Sequence, residues 1–265
     1  MSSRPTKQFS LDDALLGFIG ANTPPSETID HAVRFLGTYS GTDKFLMATQ
    51  YMAKFIAPFI LYRAQLQFRA GKRPKPVSLT EEGLFKFAGQ ISAARRIMGF
   101  PNILYFIKAL SALERNPPAS RLILNVGRIQ CLSMLVFYPL EYVSFFSAPA
   151  SGPLLRISPK DALFAQLWSV RAWLVFTAFK IVEQAHDLIA LLRKHTYHKD
   201  EAERAKIAKR KFHLTYALIS NVVRLPVILH WSVIGGIYKN EIWTSGLSLV
   251  SALAALKGGW ESTRL

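Results

Sequence analysis

Residues 78–99, with the sequence SLTEEGLFKFAGQISAARRIMG, form a two-sided pattern that decides how the rest of the chain is interpreted. Ser78 and Glu81 stand three residues apart, which is the spacing of a capping box at the start of a helix. On a helical wheel, one side collects six apolar residues: Leu84, Phe87, Ala88, Ile91, Ala94 and Met98. The opposite side is polar and carries Glu82, Lys86, Gln90 and Arg96. The stretch therefore predicts an amphipathic helix that ends before Pro101.

This helix has two interpretations. An amphipathic helix with basic residues suits a membrane surface rich in acidic phospholipid, where each Lys or Arg contributes about 1 kcal/mol to binding. The membrane-binding residues would then be Leu84, Lys86, Phe87, Ile91, Arg95, Arg96 and Met98. The alternative is a core-facing helix of a globular bundle, which produces the same pattern. Because Arg95 lies within the apolar sector, it must either extend to the surface or pair with a buried partner.

Composition favours a membrane protein. Hydrophobic residues make up 50% of the chain and the mean hydropathy is +0.18, although the net charge is +16. The basic residues are interleaved with Leu, Phe and Ile, whereas a nucleic-acid-binding protein would concentrate them on a more polar domain. Cys131 is the only cysteine, so no intrachain disulfide can form. The N-terminal residues lack the apolar core of a signal peptide, and we expect a chain that faces the cytosol.

The rest of the chain predicts further helices and an all-α fold. One short helix is predicted to start at Ser10, with Asp13 as its capping partner, and a second is predicted to start at Ser26. From Thr42, apolar residues recur with helical spacing over six turns in total, and Pro58 lies within this stretch. Helices before residue 118 are amphipathic, whereas those after it are apolar nearly all round. We therefore divide the chain into an amphipathic, cytosol-facing membrane-remodelling region, 1–118, and a region of apolar, membrane-embedded helices, 119–265.

Uncharged runs in the second region are candidates for membrane contact, and they cover residues 129–140, 142–155, 225–238 and 242–256. None reaches the ~20 residues that cross a bilayer comfortably. Each is therefore a tilted span, a re-entrant piece or an interfacial helix. Glu141 interrupts these runs, and Arg128 is too far along the same helix to pair with it. We expect a cytosolic or interfacial position for this carboxylate.

No segment carries the signature of an enzyme, a cofactor site or a metal centre. Gly71 and Lys72 lack the upstream glycine of a phosphate-binding loop. His195 and His198 would share a helix face, but no cysteine or carboxylate stands at a matching spacing to complete a metal site. We expect a protein without catalytic activity and without a bound cofactor.

Two blocks of residues carry a resemblance to a known family. The first block is Tyr39-Ser40-Gly41-Thr42-Asp43-Lys44-Phe45-Leu46, followed by Gln50-Tyr51 and Lys54-Phe55. The second block is Arg95-Arg96-Ile97-Met98-Gly99. The first is similar to the opening signature of the peroxin-eleven family, and the second resembles the end of that family's membrane-inserting helix. Where the family tends to carry an Asp-His pair and then a Trp, this chain has Glu141, Tyr142 and Phe145, which suggests a divergent, fungal-type branch.

The resemblance implies a protein of the peroxisomal membrane that elongates and curves this membrane to promote fission and proliferation. The implied partners are an acidic phospholipid membrane, further copies of the chain, and the fission machinery, namely a dynamin-like GTPase with its membrane adaptor. Two alternatives stay open, a channel or pore for small metabolites and a soluble helical bundle that binds nucleic acid. Ionisable residues along a lumen-facing stripe would favour the pore, and the uncharged runs contain no such stripe. We expect no nucleic-acid partner.

Overall fold

The computed structural model describes residues 17, 18, 20, 24–147, 154–195 and 201–264, and no strand occurs among them. Eight helices have described bounds: α1 Glu27–Leu36, α2 Tyr39–Arg69, α3 Leu79–Gly99, α4 Asn102–Arg115, α5 Arg121–Ser147, α6 Pro159–His195, α7 Glu201–Ser232 and α8 Glu241–Ser262. The predicted all-α class is confirmed. The helix predicted to start at Ser10 lies mostly outside the described residues.

Each of the first three helices is preceded by a short polar residue whose side chain caps the N-terminus of the helix. The hydroxyl of Ser26 accepts a hydrogen bond from the N–H of Ile29 in α1, and the hydroxyl of Thr38 accepts one from the N–H of Gly41 in α2. With Thr38 as its cap, α2 begins at Tyr39, three residues before the start of the apolar period at Thr42. Gly41 is required at this turn, because a Cβ atom there would lie 1.9 Å from the carbonyl oxygen of Phe35. The hydroxyl of Ser78 accepts the N–H of Glu81 at 3.4 Å, as the sequence predicts.

The helices pack in a circuit that joins both ends of the chain. Helix α2 contacts α1, α3 and α8, and from α8 the contacts continue through α7 and α6 to α5, which also contacts α4. The circuit closes where the hydroxyl of Tyr142 in α5 donates to the carbonyl oxygen of Arg96 in α3, at 2.9 Å. Helices from before and after residue 118 therefore share one bundle, although the proposed functional division at this residue stays a prediction.

Polar residues are buried in this bundle, and large apolar residues face outward. The buried polar side chains include Gln50, Gln130, Ser169, Thr177, Gln184, Ser220, Ser248 and Ser251. The exposed apolar side chains include Phe45, Met52, Ile56 and Phe59 on α2, Leu132 and Val136 on α5, Trp168, Val175 and Val182 on α6, and Ile219, Val222 and Leu229 on α7. Such an extended apolar exterior is a liability in water but suits lipid. Small and hydroxyl residues between helices are likewise typical of membrane bundles.

Polar side chains form hydrogen bonds across three successive interfaces of the bundle. The pairs are Gln130 with Glu183 between α5 and α6, Gln184 with Asn221 between α6 and α7, and Ser220 with Ser251 between α7 and α8, at 2.9 to 3.0 Å. Interhelical bonds of this kind satisfy polar groups that lipid cannot satisfy.

Four helices, α2, α5, α6 and α7, are long and apolar enough to cross a membrane by length and composition. The uncharged runs are shorter than these helices because they end at charged residues, whereas the helices continue through those residues. Some of these charges have partners on a neighbouring helix. Arg171 in α6, for example, donates to the carbonyl oxygen of Ser232 in α7 at 3.2 Å. The run 225–238 does end early, because Gly235 and Gly236 adopt φ values of 82° and 71°.

Candidate membrane-binding site

Helix α3 lies along α2 and divides the predicted apolar sector between two environments. Ala88 and Ile91 are buried, and Leu84 is half-buried. Ile91 retains only 7% of its surface exposed. This part of the sector is an inner face that packs within the bundle, as the core-facing interpretation predicts.

Arg95 completes the inner face by binding two residues of α2. Its Nε donates to Oδ1 of Asp43 at 2.8 Å, and its Nη2 donates to Oδ2 of the same carboxylate at 3.3 Å. Its Nη1 donates to Oε1 of Gln50 at 3.0 Å. The sequence predicts that Arg95 either extends to the surface or pairs with a partner, and the structure shows that it is paired. A bidentate guanidinium–carboxylate pair also fixes the rotation of α3 about its own axis, because both planes must align.

The two blocks that carry the family resemblance therefore meet in space. Asp43 and Gln50 come from the first block, and Arg95 comes from the second, 52 residues after Asp43. At the adjacent end of α3, the buried Gly99 lies where a Cβ atom would be 3.5 Å from the hydroxyl of Tyr39. That hydroxyl accepts a hydrogen bond from Asn102 at 2.9 Å. The blocks form one polar network that joins α2, α3 and the start of α4.

Glu141 extends the network to α5. Its Oε1 lies 3.6 Å from Nε of Arg96, so the carboxylate has a partner from another helix. This ion pair gives a carboxylate in an apolar helix a cationic partner, and its cytosolic or interfacial position stays a prediction. Arg128 pairs instead with Glu114 of α4 at 2.6 Å, and this hydrogen-bonded arginine holds the pKa of the Glu114 carboxyl below its usual value.

The remaining part of the apolar sector is an outer face that no described helix covers. Phe87 has 48% of its surface exposed, and Ala94 and Met98 lie exposed on the same side. Lys86 is also exposed and forms an ion pair with Glu82, one turn earlier, at 2.7 Å. This ion pair lowers the pKa of the Glu82 carboxyl. The outer face combines an uncovered aromatic and aliphatic stripe with a flanking surface charge.

The structure thus divides the seven predicted membrane-binding residues. Four of them are exposed, namely Lys86, Phe87, Arg96 and Met98, whereas Leu84, Ile91 and Arg95 are held in the bundle. A helical wheel cannot make this division, because it shows which residues share a side but not which part of that side a neighbouring helix covers. Membrane binding by these residues stays a prediction.

Three basic residues near α3 are not among the residues that the sequence predicts to bind a membrane. Lys72, Arg73 and Lys75 lie in the segment between α2 and α3, with Lys72 and Lys75 exposed. None of the three forms an ion pair within 4.0 Å among the described residues. The sequence does contain a pattern that could have identified them, since three basic residues occur within four positions and no acidic residue lies between them.

Helix α1 presents a second uncovered apolar stripe, made of Ile29, Val33 and Leu36. Its opposite side is held in the bundle by His31, whose Nε2 lies 3.0 Å from the carbonyl oxygen of Trp260 in α8.

The part of the chain that the structure describes contains no group of three or more His, Cys, Asp or Glu that could hold a metal ion. The side chains of His195 and His198 lie outside this part.

A family model described as peroxisomal biogenesis factor 11 (PEX11) matches residues 29–260. The match starts within α1 and ends within α8, so it includes both sequence blocks and the network that they form. No curated protein and no solved structure matches the chain.

Proposed function

The chain belongs to the peroxisomal biogenesis factor 11 family, and from this premise we propose that it elongates and curves the peroxisomal membrane ahead of fission. Membership gives the chain a role in peroxisome biogenesis or proliferation, within a family of biogenesis factors and not of enzymes. It also agrees with the four helices that are apolar enough to span a membrane. Elongation and fission are the proposed part.

The observation that carries this proposal is the division of α3 into two faces. The inner face is fixed to α2 through Arg95, and the outer face presents Phe87 and Met98 to the surroundings. A helix that inserts only its outer side reaches the headgroup and upper acyl region of one leaflet, which expands that leaflet and favours curvature. Because α3 is anchored to a candidate spanning helix, it can insert without leaving the bundle.

The proposed partner of this face is an acidic phospholipid membrane. The exposed segment with Lys72, Arg73 and Lys75 supplies cationic charge beside the start of α3. Charge attraction of this type is screened over about 8 Å at physiological ionic strength. Changing all three residues to Glu in the full chain should weaken its binding to acidic vesicles and remove most of the salt dependence. Unchanged binding would assign the attraction to other residues. Further copies of the chain and the fission machinery remain proposed partners from the family likeness.

The decisive test compares two exposed phenylalanines on different sides of α3. Phe87→Glu places a charge on the outer face, and Phe85→Glu places the same charge two residues away, on a different side of the helix. Both side chains are nearly half-exposed, so we expect both full-length variants to fold and to reach peroxisomes. Phe87→Glu should leave peroxisomes unelongated in cells, whereas Phe85→Glu should retain most of the elongation.

Thermal unfolding of the two purified variants decides between the two interpretations of α3. If Phe87→Glu elongates peroxisomes normally and lowers the unfolding midpoint, the outer face is a core or oligomer contact and the proposal is wrong. If both variants lose elongation equally with unchanged midpoints, curvature does not depend on this face of the helix.

A second candidate function, a channel for small metabolites, is favoured by one feature of the bundle interior. A cavity of ≈ 890 Å³ is lined by ionisable residues of α2, α3, α5 and α7, including Asp43, Lys54, Arg96, Glu141 and Arg224. The uncharged runs do not reveal such a lining, because all five of these charged residues lie outside them. Conductance of the purified protein in planar bilayers tests this candidate, and an unchanged bilayer resistance would exclude it.

A further inference from the structure

The cavity has two chemically different walls. Its polar wall carries four cationic and two anionic side chains, which are Lys54, Arg95, Arg96, Arg224, Asp43 and Glu141. Its apolar wall consists mainly of α5 and α6 residues, among them Phe137, Leu167 and Trp173, with Trp231 from α7. The volume of ≈ 890 Å³ falls within the range of small-molecule sites, about 300 to 1,000 Å³.

The charges of the polar wall do not balance. Asp43 is paired with Arg95 and Glu141 with Arg96, so both carboxylates already have a cationic partner. Among the described residues, no carboxylate lies within 4.0 Å of Lys54 or Arg224. Two cationic groups therefore line the cavity in excess of its anions.

Among the described residues, the hydrogen-bond partners of Arg224 are neutral groups. Its Nε donates to the hydroxyl of Ser251 at 3.0 Å, and its Nη2 lies 2.9 Å from the sulfur of Met47. These contacts orient the guanidinium from α8 and α2, but neither supplies negative charge. An arginine in an apolar helix is costly without a counter-charge, and such residues normally face a partner or a functional cavity. Arg224 faces the cavity.

Aromatic rings form much of the apolar wall. Trp173 and Trp231 lie with their ring centroids 6.3 Å apart and nearly parallel, and Phe137 lies 6.1 Å from Trp173. A hydrophilic anion would leave this wall facing only water. A molecule with an anionic head and an apolar tail would occupy both walls.

We propose that this cavity binds a lipid with a phosphate headgroup, which Arg224 and Lys54 hold, while its acyl chain lies against Phe137, Trp173 and Trp231. Guanidinium and ammonium groups are the usual protein ligands of phosphate. The proposal concerns the bundle interior and is independent of membrane insertion by α3.

The test uses the full-length protein, purified in neutral detergent, with lysophosphatidic acid as the probe. Binding is measured by native mass spectrometry and by tryptophan fluorescence. Lysophosphatidylcholine, whose headgroup has no net charge, and inorganic phosphate, which has no tail, serve as comparison ligands. Lysophosphatidic acid should bind saturably with one molecule per chain, at least tenfold more tightly than either comparison ligand.

Matched variants locate the site. Arg224→Gln should weaken lysophosphatidic acid at least tenfold, and Lys54→Gln should weaken it several-fold. Arg63→Gln, which removes an exposed charge of α2 far from the cavity lining, should change the affinity less than twofold. If Arg224→Gln fails to fold, Lys54→Gln and Trp173→Leu provide the test. Trp173→Leu should weaken the binding of lysophosphatidic acid and leave the affinity for inorganic phosphate unchanged.

Three outcomes would overturn the proposal. Equal affinity for lysophosphatidylcholine would show that the headgroup charge is irrelevant. Equal affinity for inorganic phosphate would show that no acyl chain is bound. Saturable binding that all three cavity variants leave intact would place the lipid elsewhere on the protein.

Discussion

The interface between α2 and α3 is held by charge, whereas the interface between α7 and α8 is held by close approach. In the first, Arg95 donates three hydrogen bonds to Asp43 and Gln50. In the second, Ser220 and Ser251 each donate to the other's carbonyl oxygen at 2.8 to 2.9 Å. The two interfaces lie in one bundle but depend on different interactions.

The difference shows how each interface responds to change. A single, largely shielded ion pair concentrates its contribution in two side chains, so removing either one leaves an uncompensated charge. A close-packed interface distributes its contribution over many contacts, each with a small effect. The α2–α3 interface should therefore fail at one position, whereas the α7–α8 interface should lose stability gradually. The ion pair also positions the outer face of α3, which links this stability to the proposed function.

The largest effect is expected for Asp43→Asn, which leaves the Arg95 guanidinium without its carboxylate. We expect a loss of about 2 kcal/mol in the free energy of unfolding, less than the roughly 3 to 5 kcal/mol for a fully buried pair, because both side chains are partly exposed. Denaturant unfolding in detergent, followed by circular dichroism, measures it. The control, Glu82→Gln, breaks the exposed pair with Lys86 and should change stability far less. Equal losses in the two variants would contradict the distinction between a buried and a surface ion pair on α3.

A smaller loss, about 1 to 2 kcal/mol, is expected for Gly258→Ala, because a Cβ atom there would lie 2.9 Å from Cβ of Tyr216 in α7. Gly89→Ala is the matched substitution, since nothing lies within 4 Å of that position in α3. It should stabilise the protein slightly, because alanine is the better helix former. The same unfolding assay compares them. A stabilising Gly258→Ala would mean that α7 and α8 separate easily, and close packing would then not hold this interface.

The smallest effect is expected at the ion pair of Glu114 with Arg128, which joins α4 to α5. Both side chains are partly exposed, so water screens the pair. Because the folded-state pKa of Glu114 is lowered, the stabilisation is present above its unfolded pKa of about 4.3 and is lost as the pH falls. Glu114→Gln should lower the thermal midpoint slightly at pH 7. The two proteins should converge below pH 4, and a difference that persists there would point to packing.

Local patterns were sufficient to predict the helices. The hydroxyl of Ser78 caps α3 as its spacing with Glu81 predicts, and α2 includes the apolar period that starts at Thr42. The two blocks also pointed to the family that the family model supports. These features depend on residues close together in the chain, where periodicity and capping act.

The spanning segments were harder to predict, because charged residues interrupt the apolar runs. Lys180 ends an uncharged stretch of α6 in the sequence and Glu183 follows one turn later, but in the structure Glu183 accepts hydrogen bonds from Lys180 and from Gln130 of α5. Whether a polar residue ends a membrane helix depends on a partner from another helix, and that partner can be anywhere in the chain.

The sequence by itself determined the all-α class, the start of α3, its two-sided character and the need for a partner at Arg95. Tertiary structure alone decided that this partner is Asp43, that Ile91 is buried while Phe87 is exposed, and that Arg224 and Lys54 border one cavity. The physical reason is the range of the interactions. Helix formation depends on neighbours within four residues, whereas burial and charge pairing depend on which helices pack together.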